Sequence, residues 1–238
     1  MNLFSAWLVH LYTASGALAA FFGTIAVFGG RYREAFIWMA AATVVDASDG
    51  VLARRAEVKE RLPGIDGARL DDIVDYLTFV FLPVLLLYQV GALPSGFEEV
   101  VASVVLLSSA YGFSAVDSKT DDHFFTGFPS YWNVVALYLY IGLRQGVLNP
   151  LMNAFILLGL SVLVFWRVGY VYPTRTPVLR PLTMLLGSIW AILVLAMILM
   201  LPSVPPALVL ASLVFPFYYL ALSVALQLRR RKAVSVQP

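Results

Sequence analysis

The chain has 238 residues, of which 61% are hydrophobic and only 13% are charged, and its mean hydropathy is +0.84. Soluble domains carry about 25% charged residues, so this composition excludes an ordinary soluble protein and indicates a membrane protein. The formal net charge is +2 and cysteine is absent, which excludes disulfides and thiolate chemistry.

Long apolar runs follow one another along the chain and predict helices rather than the alternating segments of a β-barrel. The first run begins near Ala6 with no Lys or Arg before it, so we interpret it as a retained helix, not a cleaved signal. The candidate helices lie at about 6–28, 33–54, 68–90, 98–117, 129–144, 148–168, 181–201 and 206–228, separated by Gly/Pro-rich or charged turns. The predicted fold is an all-α polytopic membrane protein with about eight transmembrane helices. We expect residues 1–238 to form a single domain.

The basic residues predict the orientation of these helices. If the N-terminus is cytoplasmic, thirteen of the sixteen Lys and Arg residues fall in cytoplasmic segments and three fall on the other side. This bias agrees with the positive-inside rule. Both termini are therefore predicted to be cytoplasmic, together with the segment between the second and third helices.

That segment is unusually acidic for a membrane protein. The stretch from Val44 to Pro83 holds eight of the fourteen carboxylates in the chain. Asp46 and Asp49 are three residues apart at the end of the second helix, and Asp71 and Asp75 are four residues apart at the start of the third. Each pair shares one helical face, and two adjacent antiparallel helices would bring the faces together.

Four carboxylates at a membrane boundary repel one another and are costly to desolvate, so the cluster is tolerable only if a cation fills it. Ligands that are all oxygen select hard cations: Mg²⁺, Mn²⁺ or Ca²⁺. Because Mg²⁺ tends to share its coordination shell with substrate phosphates, the cluster points to a phosphate-bearing substrate. Gly50, Ala53 and Gly67 leave room for such a substrate near the backbone, and Arg54 offers a planar donor fork for a phosphate.

Other polar residues have simpler interpretations. His10 and His123 are expected to be interfacial or hydrogen-bonded residues and not ligands. The remaining acidic residues near the cluster are interpreted as solvated helix ends: Glu57, Glu60, Asp66 and Asp72. A separate acidic group is interpreted as a solvated loop: Asp117, Asp121 and Asp122.

The motif "D-x2-D-G-x2-A-R" from Asp46, followed by "G-x3-D-x3-D" from Gly67, resembles the signature of the CDP-alcohol phosphotransferases. Members of that family are integral membrane enzymes that transfer a phosphatidyl group from CDP-diacylglycerol to an alcohol and release CMP. The resemblance implies that Asp46, Asp49 and Asp71 hold Mn²⁺ or Mg²⁺ together with the pyrophosphate. It implies that Asp75 is the general base and a further metal ligand.

The resemblance extends to the first helix and to the lipid substrate. The segment "HLYTASGALAAFFG" is similar to a family opening in which a threonine contacts the nucleotide, here Thr13, and His10 stands where Asn is usual. The residues implied to bind CDP-diacylglycerol are Thr13, Gly50, Ala53, Arg54 and Gly67.

The spacer between the two halves of the motif is similar to that of a bacterial subgroup that uses free choline. It runs for twelve residues, from Arg55 to Asp66, and is longer than in most of the family. The segment "KTDDHFFTGFPSYWN" and the helix count are similar to the same subgroup. Aromatic faces usually hold a quaternary ammonium, although aromatic belts are also common at membrane interfaces. We predict Tyr131 and Trp132 as the choline contacts.

Two alternatives stay open from the sequence. The same chemistry could use serine, inositol or glycerol phosphate as the acceptor. A protein of another class, a cation transporter, could use the aspartates as an ion path, although transporters more often place charge near the midplane at broken helices. The expected partners are CDP-diacylglycerol, choline and membrane lipid, and not nucleic acid. A homodimer is one assembly that the sequence allows, and the expected location is a bacterial inner membrane with the site on the cytoplasmic side.

Overall fold

Helices account for most of the described residues in the computed structural model, which covers residues 3–115, 124–166, 169–171 and 179–234. Side chains are described for these residues except 124–126, 169–171 and 228–234. The elements are α1 (Leu3–Phe28), α2 (Tyr32–Arg55), α3 (Val58–Arg61), α4 (Gly67–Asp75), a π-helical segment (Tyr76–Phe81), α5 (Leu82–Gln89), α6 (Glu98–Ser114), β1 (Phe124–Thr126), α7 (Trp132–Arg144), α8 (Pro150–Phe165), β2 (Gly169–Val171), α9 (Arg180–Leu199), α10 (Pro206–Ser212) and α11 (Val214–Val234).

Membrane-spanning length is reached at both ends of the chain. Among the described residues, four helical stretches are long and apolar enough to cross a membrane: Leu3–Phe28, Tyr32–Arg55, Arg180–Leu199 and Pro206–Gln227. The other predicted spans are also helical, but some are short. Helix α7 has 13 residues, and at about 1.5 Å per residue it is well short of a hydrocarbon core of roughly 30 Å. The count of eight spans therefore stays a prediction.

A short β-ribbon departs from the all-helical prediction. Strand β1 pairs antiparallel with β2, with Phe124 opposite Val171 and Thr126 opposite Gly169. The helices that lead into these regions end at Ser114 and Phe165, before the predicted ends at 117 and 168. Gly127 follows β1 with a φ of +91°, and a Cβ there would lie 2.4 Å from the carbonyl oxygen of Val164. Only glycine allows the ribbon to approach α8 this closely.

The third predicted helix is one continuous path from Gly67 to Gln89 with a wider turn in its middle. The π-helical segment begins directly after Asp75. Pro83 follows it closely, and because proline donates no backbone N–H and crowds the preceding turn, it favours such a widened turn. The buried hydroxyl of Thr78 donates to the carbonyl oxygen of Val74 at 2.9 Å, which satisfies one backbone acceptor beside the irregular turn.

The core lies around α5 and α7, where the largest fully buried side chains include Leu82, Leu86, Leu87, Trp132 and Leu137. Helix α1 packs along α2 on one side and against the path from α4 to α5 on the other. Its buried face consists mostly of small residues, among them Gly16, Ala19, Ala20 and Gly23. Small side chains let helices approach closely in a membrane protein.

The spacer between α2 and α4 folds back onto the start of α1. Ala56 and Val58 are buried there against Ala6, and Val9 and Ala53 pack on the same group. This apolar contact holds the N-terminal end of α1, which is predicted to be cytoplasmic, beside the acidic segment.

Candidate metal and nucleotide site

Three of the four predicted metal ligands come together. Asp46 and Asp49 project from the end of α2 and Asp71 from the first turns of α4, and one carboxylate oxygen of each lies within 4.8 Å of the others. Asp49 is buried, with 6% of its surface exposed, and the other two are partly buried. Such close carboxylates repel one another unless a cation lies between them. The donors are all hard oxygens at a spacing that a Mg²⁺ or Mn²⁺ could bridge, so the residues fit the predicted metal.

Asp75 is not a member of this acidic trio, which we define as Asp46, Asp49 and Asp71. It lies one helical turn beyond Asp71 and is partly buried, and it is not among the carboxylates that meet within 4.8 Å. The π-helical segment that starts at the next residue marks an irregular helix of the kind often found at functional sites. Asp75 is thus the motif aspartate outside the group of three, and its role as base stays a prediction.

Thr13 reaches the trio directly. Its buried hydroxyl donates to Oδ2 of Asp49 at 2.8 Å, across the α1–α2 contact. One residue earlier, the hydroxyl of Tyr12 lies 2.8 Å from that of Ser48. These two contacts fix α1 against the acidic end of α2. The family resemblance implies that Thr13 contacts the nucleotide, and in the structure its hydroxyl is bonded to Asp49, a predicted metal ligand.

The small residues of the motif differ in what surrounds them. A Cβ at Gly50 would lie 3.4 Å from Nη1 of Arg54, so the guanidinium folds back along α2 over that glycine. Arg54 itself is exposed. Ala53 packs in the apolar contact between the spacer and α1. The small side chain of Ala53 therefore allows close packing of the spacer on α1, in addition to the predicted room for a substrate near the backbone.

His10 is the main addition to the predicted site. The ring lies over Gly67, where a Cβ would be 3.1 Å from Cε1 of the imidazole. His10 is 7% exposed, and its Nε2 has no hydrogen-bond partner among the described residues. The expected hydrogen bond of His10 is therefore not found at this nitrogen. A buried imidazole nitrogen without a partner is costly, and it indicates a position that a ligand would complete.

Comparison with known proteins identifies the family. Curated phosphatidylcholine synthases align with most of the chain. The one from Pseudomonas aeruginosa is 38% identical over 192 residues, which cover 81% of this chain and 79% of that protein. The one from Rhizobium meliloti is 35% identical over 224 residues, covering 94% and 91%. The one from Legionella pneumophila is 45% identical over 175 residues, covering 72% and 66%.

The chain belongs to the phosphatidylcholine synthase family. This confirms the predicted resemblance to the CDP-alcohol phosphotransferases and to their choline-using subgroup. No protein-family model matches the chain. The relatives do not favour the other acceptor alcohols or the cation transporter that the sequence left open.

The two predicted choline contacts, Tyr131 and Trp132, differ in their exposure in this member of the phosphatidylcholine synthase family. Trp132 is 1% exposed, its indole N–H donates to the hydroxyl of Ser109 at 2.7 Å, and Phe128 packs edge-on against it. The ring is thus a core residue with both faces in the protein interior. Tyr131 is 48% exposed and is the member of the pair that remains at a surface.

The start of α7 nevertheless lies close to the acidic trio. The side-chain amide of Asn133 donates to the hydroxyl of Thr43 at 3.2 Å. Thr43 precedes Asp46 by one helical turn on α2. Four residues interpreted from the sequence fall outside the residues that the structure describes: Asp117, Asp121, Asp122 and His123.

Proposed function

We propose that this chain is an integral membrane enzyme that transfers the phosphatidyl group of CDP-diacylglycerol to choline and gives phosphatidylcholine and CMP. The observation that carries the proposal is the similarity to curated phosphatidylcholine synthases over 72–94% of the chain. The acidic trio supports it, because three carboxylates from two halves of one sequence motif meet at one point.

Asp46, Asp49 and Asp71 would hold Mg²⁺ or Mn²⁺, with Thr13 keeping the Asp49 carboxylate in place. The cation would offset the negative charge of the pyrophosphate and of the departing CMP. Asp75 is left to act on the acceptor. Its carboxylate takes the proton of the choline hydroxyl, the hydroxyl oxygen bonds to the phosphorus of the phosphatidyl group, and the bond from that phosphorus to CMP breaks.

The nucleotide end of the substrate would lie over Gly50, Arg54 and Gly67, at the predicted cytoplasmic opening. Arg54 is exposed and free to turn its donor fork toward a phosphate. We add His10 to this set, because its ring lies over Gly67 and its buried Nε2 has no hydrogen-bond partner among the described residues. Tyr131 remains the candidate for the choline ammonium.

A direct assay tests the proposed function. Purified protein in lipid is incubated with CDP-diacylglycerol, Mn²⁺ or Mg²⁺, and labelled choline, serine, inositol or glycerol phosphate in turn. We expect CMP release and a labelled lipid with choline alone, and loss of both in EDTA. Equal transfer to another alcohol, or full turnover in chelator with metal content verified as negligible, would contradict the proposal.

His10→Ala should weaken the binding of CDP. A hydrogen bond to a charged group contributes about 1.5–3 kcal/mol, so the Kd should rise by about tenfold or more. His10→Gln keeps a polar nitrogen near the position of Nε2 and should retain most of the affinity. The measurement is calorimetric titration with CDP in the presence of Mn²⁺. An unchanged Kd in His10→Ala would limit the imidazole to packing against Gly67.

The proposed arrangement in the membrane is one domain with eight spans, cytoplasmic termini and the site on the cytoplasmic side of a bacterial inner membrane. A homodimer is part of the same proposal. The path from Gly67 to Gln89 supports a spanning segment, because its 23 residues rise about 34 Å, enough for a hydrocarbon core of roughly 30 Å.

Cysteine labelling tests the orientation at the two ends of that path. Lys59 in α3 and Ser95 before α6 are both exposed, and the chain has no cysteine of its own. In intact cells, a cysteine at position 95 should react with an impermeant thiol reagent, and one at position 59 should react only after permeabilisation. The opposite pattern would move the site to the other side of the membrane.

A further inference from the structure

Gly16 in α1 lies against the part of α4 that carries the acidic residues. A Cβ at Gly16 would be 2.4 Å from Cγ1 of Val74. Val74 stands between Asp71 and Asp75 in the sequence and is buried, with 6% of its surface exposed. Carbon atoms in contact are normally about 3.5–4.0 Å apart. A single methyl group at position 16 would therefore have to move its neighbour by about 1 Å.

Val74 has little freedom to yield. A β-branched side chain in a helix has one strongly preferred rotamer, so Val74 cannot turn its methyl group away without strain. The next nearest atom to the added Cβ is Cβ of Val74, at 3.9 Å, which is an ordinary contact. The obstacle is therefore the one Cγ1 methyl group, and the displacement would pass to the backbone of α4.

The position of α4 matters for the acidic trio, because Asp46 and Asp49 lie on α2 whereas Asp71 lies on α4. These two helices are held together mainly by their contacts with α1. Helix α4 packs more extensively on α1 than on α2. The α1–α2 contact is fixed beside the trio by the bond from Thr13 to Asp49, and Gly16 lies one turn further along the same helix. The separation between Asp71 and the two aspartates of α2 thus depends on how closely α4 approaches α1.

We propose that Gly16 is a positioning residue for the acidic trio. By carrying no side chain, it lets α4 approach α1 closely enough to bring Asp71 to Asp46 and Asp49. This inference rests on the proposed function, since it assigns the trio to the metal. Metal–oxygen distances in a site are held to about 0.2 Å, so a shift of about 1 Å in α4 is enough to degrade it.

A second glycine on α1 provides a matched control. A Cβ at Gly23 would lie 2.5 Å from Cδ2 of Leu82, a clash of similar size between α1 and α5, further along the same helical path. Gly23 is seven residues beyond Gly16, or about 10 Å along the helix. Gly23→Ala should lower thermal stability by crowding the core, but the acidic trio is too far away to be displaced by it.

The experiment measures Mn²⁺ binding to the purified full-length protein by electron paramagnetic resonance, without turnover. Gly16→Ala should raise the Mn²⁺ Kd by about tenfold or more, the size of effect typical when support for a metal ligand is lost. The double variant Gly16→Ala/Val74→Ala removes the Cγ1 obstacle and should return the Kd toward that of the unmodified protein. Gly23→Ala should leave the Kd unchanged.

Several results would overturn the inference: a normal Kd in Gly16→Ala, an equal loss in Gly23→Ala, or no recovery in the double variant. If Gly16→Ala alone gives no folded protein, the double variant decides, since native affinity there supports the steric account and weak binding refutes it. Absence of Mn²⁺ binding by the unmodified protein would also refute it. Normal Mn²⁺ binding without CMP release from CDP-diacylglycerol would instead count against the proposed function and leave the role of Gly16 standing.

Discussion

Asp75→Asn should abolish most of the turnover while CDP-diacylglycerol still binds. Asparagine keeps the shape and one oxygen of the side chain but cannot accept the proton of the choline hydroxyl. Loss of a general base typically lowers the rate by about 10²–10⁴-fold, which corresponds to roughly 3–5 kcal/mol in the activation barrier. Because Asp75 lies outside the acidic trio, the affinity for Mn²⁺ should change little, and excess Mn²⁺ should not restore the rate.

The neighbouring carboxylate provides the control. Asp72 is exposed on the same helix, so Asp72→Asn makes the same change of charge without touching the acceptor and should keep a normal rate. The measurements are kcat as a function of Mn²⁺ concentration and the calorimetric Kd of CDP for each variant. Recovery of Asp75→Asn at high Mn²⁺ would make Asp75 a metal ligand and leave the base unassigned.

The sequence predicts the helices and the acidic trio because both follow from local spacing. Residues three or four positions apart share a helical face, so Asp46, Asp49 and Asp71 needed only two adjacent helices to meet. The membrane class followed from composition alone. These features depend on a few residues at a time and on no detailed packing.

Contacts between distant parts of the chain are harder to predict. The bond from Thr13 to Asp49 joins residues 36 positions apart, and the residue that closely approaches Gly16 is Val74, on another helix. Many glycines in apolar helices make no close contact with another helix, so the sequence alone does not predict that Gly16 packs against α4. The β-ribbon depends likewise on pairing Phe124 with Val171, and three-residue strands carry little signal of their own.

Aromatic and histidine side chains are ambiguous for a different reason. Trp132 suits both a ligand cage and a buried hydrogen bond, and in the structure its N–H donates to Ser109. His10 is a residue type that suits a membrane interface, but in the structure its ring is buried over Gly67. In both cases the residue type is compatible with several environments, and only the neighbours distinguish them.

Asp49→Asn should have the largest effect on the metal. Asp49 is the most buried member of the trio, and the change replaces one of the proposed anionic oxygen ligands of the cation with a neutral amide. We expect a large rise in the Mn²⁺ Kd and a matching loss of activity, with partial recovery at high Mn²⁺. That recovery is the feature that separates a metal ligand from the base, since Asp75→Asn should show none.

Thr13→Val should act in the same direction through Asp49. Valine keeps the β-branched shape of threonine and its packing between α1 and α2, but it cannot donate to Oδ2 of Asp49. Losing such an outer-shell hydrogen bond typically costs about 10–100-fold in metal affinity, so the loss should be smaller than in Asp49→Asn. Thr13→Ser keeps the hydroxyl and should retain near-normal affinity. The test is Mn²⁺ titration of all three variants by paramagnetic resonance. A normal Kd in Thr13→Val would show that the buried hydrogen bond does not orient the ligand, and the nucleotide role implied by the family resemblance would then be the better account of Thr13.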